Sequence, residues 1–162
     1  MESVREAIFS SLGGHCEGLK VLDLFAGSGA LGLEAWSRGA ASVLIVEQHP
    51  LVFKNLQRNI AELECEGLGR TKCVKANAIQ WLGRAGERFD LIFADPPYDL
   101  PDAMEQTLEG IAAHSVLTEG GRLVYEMRSR GEPTIPEAWS VLKDKRYGKT
   151  RILILEKTED ES

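Results

Sequence analysis

Apolar positions along the chain follow two periods in turn. Short continuous apolar runs, bounded by Gly, Pro or acidic residues, fall at Lys20–Leu24, Ser42–Val46, Thr71–Lys75, Phe89–Ala94 and Arg122–Met127. Such runs predict strands buried in a sheet. Between them, amphipathic stretches predict helices at about Ser3–Leu12, Ala30–Arg38, Leu51–Leu63, Ile79–Leu82 and Asp102–His114. Gly39 stops the second helix, and Pro50 stands near the first turn of the third. Strand and helix alternate throughout, which predicts a doubly wound α/β fold with a mostly parallel sheet. Two further strands, near Ser140–Arg146 and Arg151–Glu156, pair through a hairpin at Tyr147-Gly148 and bring the expected sheet to seven strands, with an antiparallel C-terminal strand. No repeat or linker interrupts the pattern. One domain is expected over 1–157, made of an N-terminal helix (1–13) and a core (19–157), followed by a disordered acidic tail (158–162).

A doubly wound sheet binds ligands outside the carboxyl ends of its strands, where the strand order reverses. Asp23, Glu47, Asn77 and Asp95 all fall at such ends. After the first strand, Gly27-x-Gly29-x-x-Gly32 opens a helix. Glycines there let the backbone turn tightly and approach a ligand. The motif alone is a weak signal shared with dinucleotide sites. Asp23 changes the reading, because a carboxylate beside the loop repels a pyrophosphate and attracts an ammonium or sulfonium cation. Glu47, about 20 residues past the loop, is placed to bind both hydroxyls of a ribose. A cation site next to a ribose site describes S-adenosylmethionine better than a dinucleotide.

The fourth strand stops at Asp95-Pro96-Pro97-Tyr98. Proline cannot continue a ladder, so the stop leaves a carboxylate, a proline carbonyl and an aromatic ring at one strand end. The two acceptors can hold both N–H bonds of one planar amine, and the ring can stack on the plane that carries it. This suits chemistry on an exocyclic or amide nitrogen of a flat substrate.

These motifs make the chain resemble the class I S-adenosylmethionine-dependent methyltransferases with an Asp/Asn-Pro-Pro-Tyr/Phe motif, and more closely the bacterial RsmD-type enzymes. The matching segments are Val4–Phe9, Asp23–Gly29, Val46-Glu47, Asn77-Ala78, Asp95–Tyr98 and Tyr147–Thr150. The resemblance implies a Rossmann-like class I methyltransferase fold and methylation of a guanine N2 amine in small-subunit ribosomal RNA. It implies that S-adenosylmethionine is held by Asp23, Phe25, Gly27, Ser28, Gly29, Glu47, Gln48, Asn77, Ala78 and Asp95. Catalysis is then expected from Asp95, Pro96, Pro97 and Tyr98, and substrate contacts from Arg5, Phe9, Tyr98, Arg128 and Arg130. The same motif also serves adenine-N6 and protein glutamine amines, and a cofactor-binding scaffold without activity is a further alternative.

Composition narrows these readings. The 162 residues, 43% apolar and 27% charged, fit one globular domain, and no stretch predicts a signal peptide or a membrane span. A cytoplasmic monomer is expected. The scattered cysteines Cys16, Cys65 and Cys73 fit reduced thiols, and neither they nor the lone histidines His15, His49 and His114 predict a metal site. The net charge of −6 is unusual for an RNA enzyme. However, residues 122–151 hold eight basic and four acidic side chains, which suggests a local RNA-facing patch. Relatives usually carry a basic arm ahead of the first helix, whereas here that helix starts almost at Met1. Charge and missing arm together lead to the expectation that the partner is ribosomal RNA within an assembling small subunit.

Overall fold

The apolar runs become the strands of one sheet, with helices laid on both of its faces. The computed structural model describes residues 2–158. The tail expected at 158–162 lies outside them but for Thr158, whose N–H donates to the Ala138 carbonyl (2.8 Å). In chain order the elements are α1 (Glu2–Ser11), β1 (Lys20–Leu24), α2 (Ala30–Ser37), β2 (Ser42–Glu47), α3 (Pro50–Leu63), β3 (Arg70–Lys75), α4 (Ala78–Leu82), β4 (Phe89–Ala94), α5 (Ala103–Ala113), β5 (Leu117–Arg128), β6 (Trp139–Tyr147) and β7 (Thr150–Lys157). The strand order is β3-β2-β1-β4-β5-β7-β6. Strands β1 to β5 pair in parallel, and β7 runs antiparallel between β5 and β6. The order reverses between β1 and β4, whose last pair is Leu24↔Ala94. The loops after these two strands therefore face each other.

Side chains alternate across the pleat and build two cores. Leu22, Leu24, Ile92, Ala94, Leu123 and Tyr125 point to the face covered by α4 and α5. Val21, Ile45, Leu91, Phe93 and Val124 point to the face covered by α1, α2 and α3. The tryptophans pack against or within these cores. Trp36 and Trp139 are buried and donate their indole N–H to the carbonyls of Gly69 (2.8 Å) and Leu108 (3.2 Å), and Trp81 packs against Phe89.

The structure differs from the sequence pattern at β5. Gly120-Gly121 reads as a turn before a strand at Arg122, but the strand starts at Leu117 and runs through both glycines as a bulge. Phe89 pairs with Leu117, while Leu91 pairs with Arg122. A left-handed Gly120 (φ 78°) absorbs the extra residues, so the ladder continues where the sequence reads as a break. Among the described residues, no helix is long and apolar enough to cross a membrane.

Candidate active site

The loop after β1 turns through three left-handed residues, Phe25 (φ 55°), Gly27 (φ 56°) and Gly29 (φ 76°). This conformation costs glycine little and is strained for a phenylalanine, as is common at functional sites. The two glycines serve different ends. A Cβ on Gly27 would meet no atom within 4 Å, so its backbone is open to a ligand, whereas one on Gly29 would strike Leu56 Cδ2 of α3. Gly29 is thus needed for packing. Gly27 lines a cleft of about 460 Å³, together with Phe25, Ser28, Glu47, Gln48, Ala78 and the whole Asp95–Tyr98 motif.

Glu47 is held by two backbone donors. Gly27 N–H donates to its Oε1 (3.1 Å) and His49 N–H to its Oε2 (2.8 Å). A carboxylate has about four acceptor positions, so both oxygens remain able to accept from a diol. Asn77 does not line the cleft. Its Oδ1 accepts from Gln80 N–H (3.1 Å) as the N-cap of α4, and its Nδ2 donates to Gln48 Oε1 (3.4 Å). The structure therefore supports the cap role for Asn77, and Ala78 lines the cleft in its place.

Asp23 is 4% exposed. Its Oδ2 accepts from Gly32 N–H (2.9 Å), which ties α2 to β1. It borders a second cavity of about 210 Å³ beneath α1, shared with Arg5, Asp95 and Glu126. Burial pushes its pKa up to about 7 against the opposing Gly32 bond, and the charges of Glu126 and Glu47 add to the rise.

At the end of β4, Asp95 opens onto both cavities. Its pKa is pushed up to about 8, first by desolvation between the cavity walls, then by the charge and hydrogen bond of Glu126, then by Asp23. Pro96 is buried and its carbonyl accepts no hydrogen bond among the described residues. Tyr98 is 57% exposed. The Arg128 guanidinium lies 4.3 Å from its ring centroid.

Glu126 is the site residue that sequence reasoning missed. The signal was present, since Glu126 ends the β5 apolar run as Asp23, Glu47 and Asp95 end theirs. The basic stretch obscured it. Phe9 requires a correction. The resemblance implies that it touches substrate, yet it is 0% exposed and packs on Phe93 at 5.6 Å between ring centroids. The helix does reach the site, but through Arg5. The basic patch is also smaller than its sequence count. Arg151 is 8% exposed and bound to Asp144, Arg122 pairs with Glu156 (3.1 Å), Lys143 donates to Ser11, and Arg146 donates to the Ser129 carbonyl. Arg128, Arg130, Lys145 and Lys149 remain, and Arg128, Arg130 and Lys149 surround a cavity of about 630 Å³ next to Tyr98.

A doubly wound sheet with a glycine loop, an acid after β2 and Asp-Pro-Pro-Tyr at the switch point defines a class I methyltransferase. The chain belongs to the family described as conserved hypothetical protein 95, whose model matches residues 1–156. It is 34% identical over 148 residues to ribosomal RNA small subunit methyltransferase D of Escherichia coli K12, covering 91% of this chain and 73% of that protein. Its fold matches the solved structure of yhhF from Escherichia coli with a TM-score of 0.88 and 30% identity, covering 99% of this chain and 89% of that one. A conserved hypothetical protein from Streptococcus pyogenes matches with a TM-score of 0.83 and 34% identity, covering 93% of each chain.

Proposed function

We propose that this chain transfers the methyl group of S-adenosylmethionine to the exocyclic N2 amine of a guanine in small-subunit ribosomal RNA. One observation carries the reading: an Asp95 carboxylate and a Pro96 carbonyl without a basic or amide partner among the described residues, set beside an exposed Tyr98 ring at the edge of the Glu47 cleft. The family and its ribosomal RNA methyltransferase members support the reaction class and the substrate.

The cleft suits the cofactor in size and donor set. Glu47 would accept from the ribose hydroxyls, Gly27 and Phe25 would offer open backbone and an apolar wall, and the Asp23 and Asp95 carboxylates would face the cationic end. When bound, S-adenosylmethionine supplies an electrophilic methyl group on a sulfonium. The protein supplies orientation and charge. A guanine N2 is a poor nucleophile because its lone pair is delocalised into the ring. Asp95 and the Pro96 carbonyl accept its two N–H bonds and so aim the lone pair at the cleft. The Asp95 carboxylate stabilises the positive charge that develops on the nitrogen and, with water, takes the released proton. Tyr98 stacks on the base, which must be flipped out or already unpaired to reach it.

The net charge of −6 and the few free cations near Tyr98 favour a part-assembled subunit over free RNA as substrate. The test is radiolabelled methyl transfer to naked ribosomal RNA, undermethylated small subunits and DNA, followed by nucleoside analysis. Label in N2-methylguanosine, fastest on subunits, is expected. Label in N6-methyladenine would move the assignment to adenine, and tight cofactor binding with no labelled product would leave a scaffold.

A further inference from the structure

The last β4–β5 pair is Ala94↔Tyr125, so the next residues, Asp95 and Glu126, stand side by side on parallel strands. Neighbouring strands are about 4.8 Å apart, close enough for two carboxyl groups to converge on one ligand edge. Glu126 is half-buried and forms no ion pair and no hydrogen bond to a basic or amide group among the described residues. Arg5 borders the same cavity without pairing to it. The neighbour of Glu126 across the ladder is Asp95, a second acid that borders the same cavity. Two acids facing each other contribute nothing to the fold, because both would be better placed in water. Glu126 also lines a further cavity of about 290 Å³ beyond the motif, walled by Pro96, Tyr98, Met104 and Met127. Its other walls carry the charged side chains of Asp102, Glu105, Glu132 and Arg128, and the Glu126 carboxyl stands on the side shared with the motif.

We propose that Glu126 selects guanine, accepting the N1–H of the base while Asp95 and the Pro96 carbonyl hold its N2 amine. The inference rests on the reading of the site as a guanine-N2 methyltransferase. The edge chemistry decides it. Guanine presents an N1–H directly beside its N2–H₂, three N–H bonds on two adjacent atoms. Adenine presents its amine beside a bare N1 lone pair. Three acceptors in a row match the first edge, whereas Glu126 would face the second lone pair to lone pair. A site built to receive an N–H rejects the analogue that lacks it far more strongly than an apolar pocket rejects a misfit, because a buried acceptor is left unpaired. The Asp95 and Glu126 carboxyl groups then receive donors from one base edge, so the pair is complete only with guanine bound. Loss of selectivity, with binding of the cofactor unchanged, is what distinguishes this role from a structural one.

The experiment uses small-subunit RNA that carries either guanine or 2-aminopurine at the methylated position. 2-Aminopurine keeps the amine and replaces N1–H by a lone pair. The wild-type chain should prefer guanine by at least about 100-fold in kcat/KM, within the range seen when a hydrogen-bonded group is missing. Glu126→Gln presents an amide N–H, so it should lower the guanine rate, raise the 2-aminopurine rate and shrink the preference at least tenfold. Glu126→Asp should keep the preference at a reduced rate. Cofactor affinity by calorimetry should stay within twofold of wild type in both variants. A preference unchanged in Glu126→Gln would overturn the proposal, and so would a loss of cofactor affinity in that variant, which would assign Glu126 to the ammonium end of the cofactor. If the wild-type chain methylates no guanine at all, the underlying reading fails instead.

Discussion

The two halves of the active site are built on opposite plans. On the cofactor side the polar groups are already held by the fold. Glu47 is fixed by the N–H groups of Gly27 and His49, Asp23 by that of Gly32, and Asn77 is engaged with Gln80 and Gln48. On the substrate side, among the described residues, neither Asp95 nor Glu126 has a basic or amide partner and the Pro96 carbonyl accepts no hydrogen bond. A held acceptor keeps one geometry for a ligand that always arrives in the same shape. An acceptor without a protein partner is left to water in the free protein and is open to the donors of a ligand that fills the site. On the proposed reading, the held half receives the cofactor and the half without partners receives the substrate.

The comparison breaks first at Asp95. Asp95→Ala should lower kcat by about two or more orders of magnitude, as for loss of one preorganised charge-stabilising group. Cofactor affinity by calorimetry should fall far less than kcat, because the Glu47 ribose side does not involve Asp95. Asp95→Asn should keep partial activity, since its amide oxygen still accepts. An Asp95→Ala enzyme with full turnover would end the mechanism.

Asp23 tests the buried end of the same contrast. Its folded pKa, about 7, lies above the ordinary 3.8 of an aspartate. Between these values the folded chain keeps a proton that the unfolded chain has released. The stability that Asp23 contributes to the ligand-free protein should therefore be greatest below about pH 4, fall by up to about 1.4 kcal/mol per pH unit as pH rises to about 7, and level off above that. Asp95 contributes with the same sign. Asp23→Asn should flatten the slope while its amide oxygen keeps the Gly32 bond. Denaturant unfolding at a series of pH values measures this, and stability rising with pH across the window would refute it.

Glu47→Ala should weaken cofactor binding by about 1–3 kcal/mol, as when a buried polar group is left unpaired. Glu47→Gln should weaken it as well, because Gly27 and His49 both donate and the amide NH₂ must turn toward one of them. Calorimetry showing wild-type affinity in both variants would remove the ribose assignment.

Most of the fold is legible in the sequence, because strands buried on both sides read as apolar runs and the acids that end them stand out. The β5 bulge is not, since two adjacent glycines look the same whether the chain turns or stays extended. The glycine loop is legible as a motif but overstates the ligand contact, because only packing shows that Gly29 faces Leu56. Phe9 is misplaced for a similar reason. A helix laid over a cleft does not reveal which of its faces is turned inward, and Phe9 is on the face packed against β4. Residues 122–151 mislead by composition: a count of charges says nothing of which are already paired, and Arg122 and Arg151 are.

The smallest effect should come from the rim, where the two halves meet solvent. Arg128 covers the Tyr98 ring, and together with Arg130 and Lys149 it borders the basic cavity beside the motif. An exposed cation–π interaction of this kind contributes about 0.5–1 kcal/mol, so a phosphate can draw the guanidinium away and free the ring for a base. Replacing Arg128 and Arg130 together with Ala should leave up to two phosphates without their cations. The slope of log affinity for RNA against log salt should then become shallower by about 1 for each such phosphate. The methylation rate on small subunits should drop several-fold at physiological salt and recover toward wild type at low salt, while cofactor affinity holds. This sharpens the comparison, because it separates substrate capture from substrate chemistry: Asp95→Ala fails at every salt concentration, and the arginine variants fail only where screening leaves RNA weakly held. A double variant with unchanged rate and salt slope would place the RNA path elsewhere on the molecule.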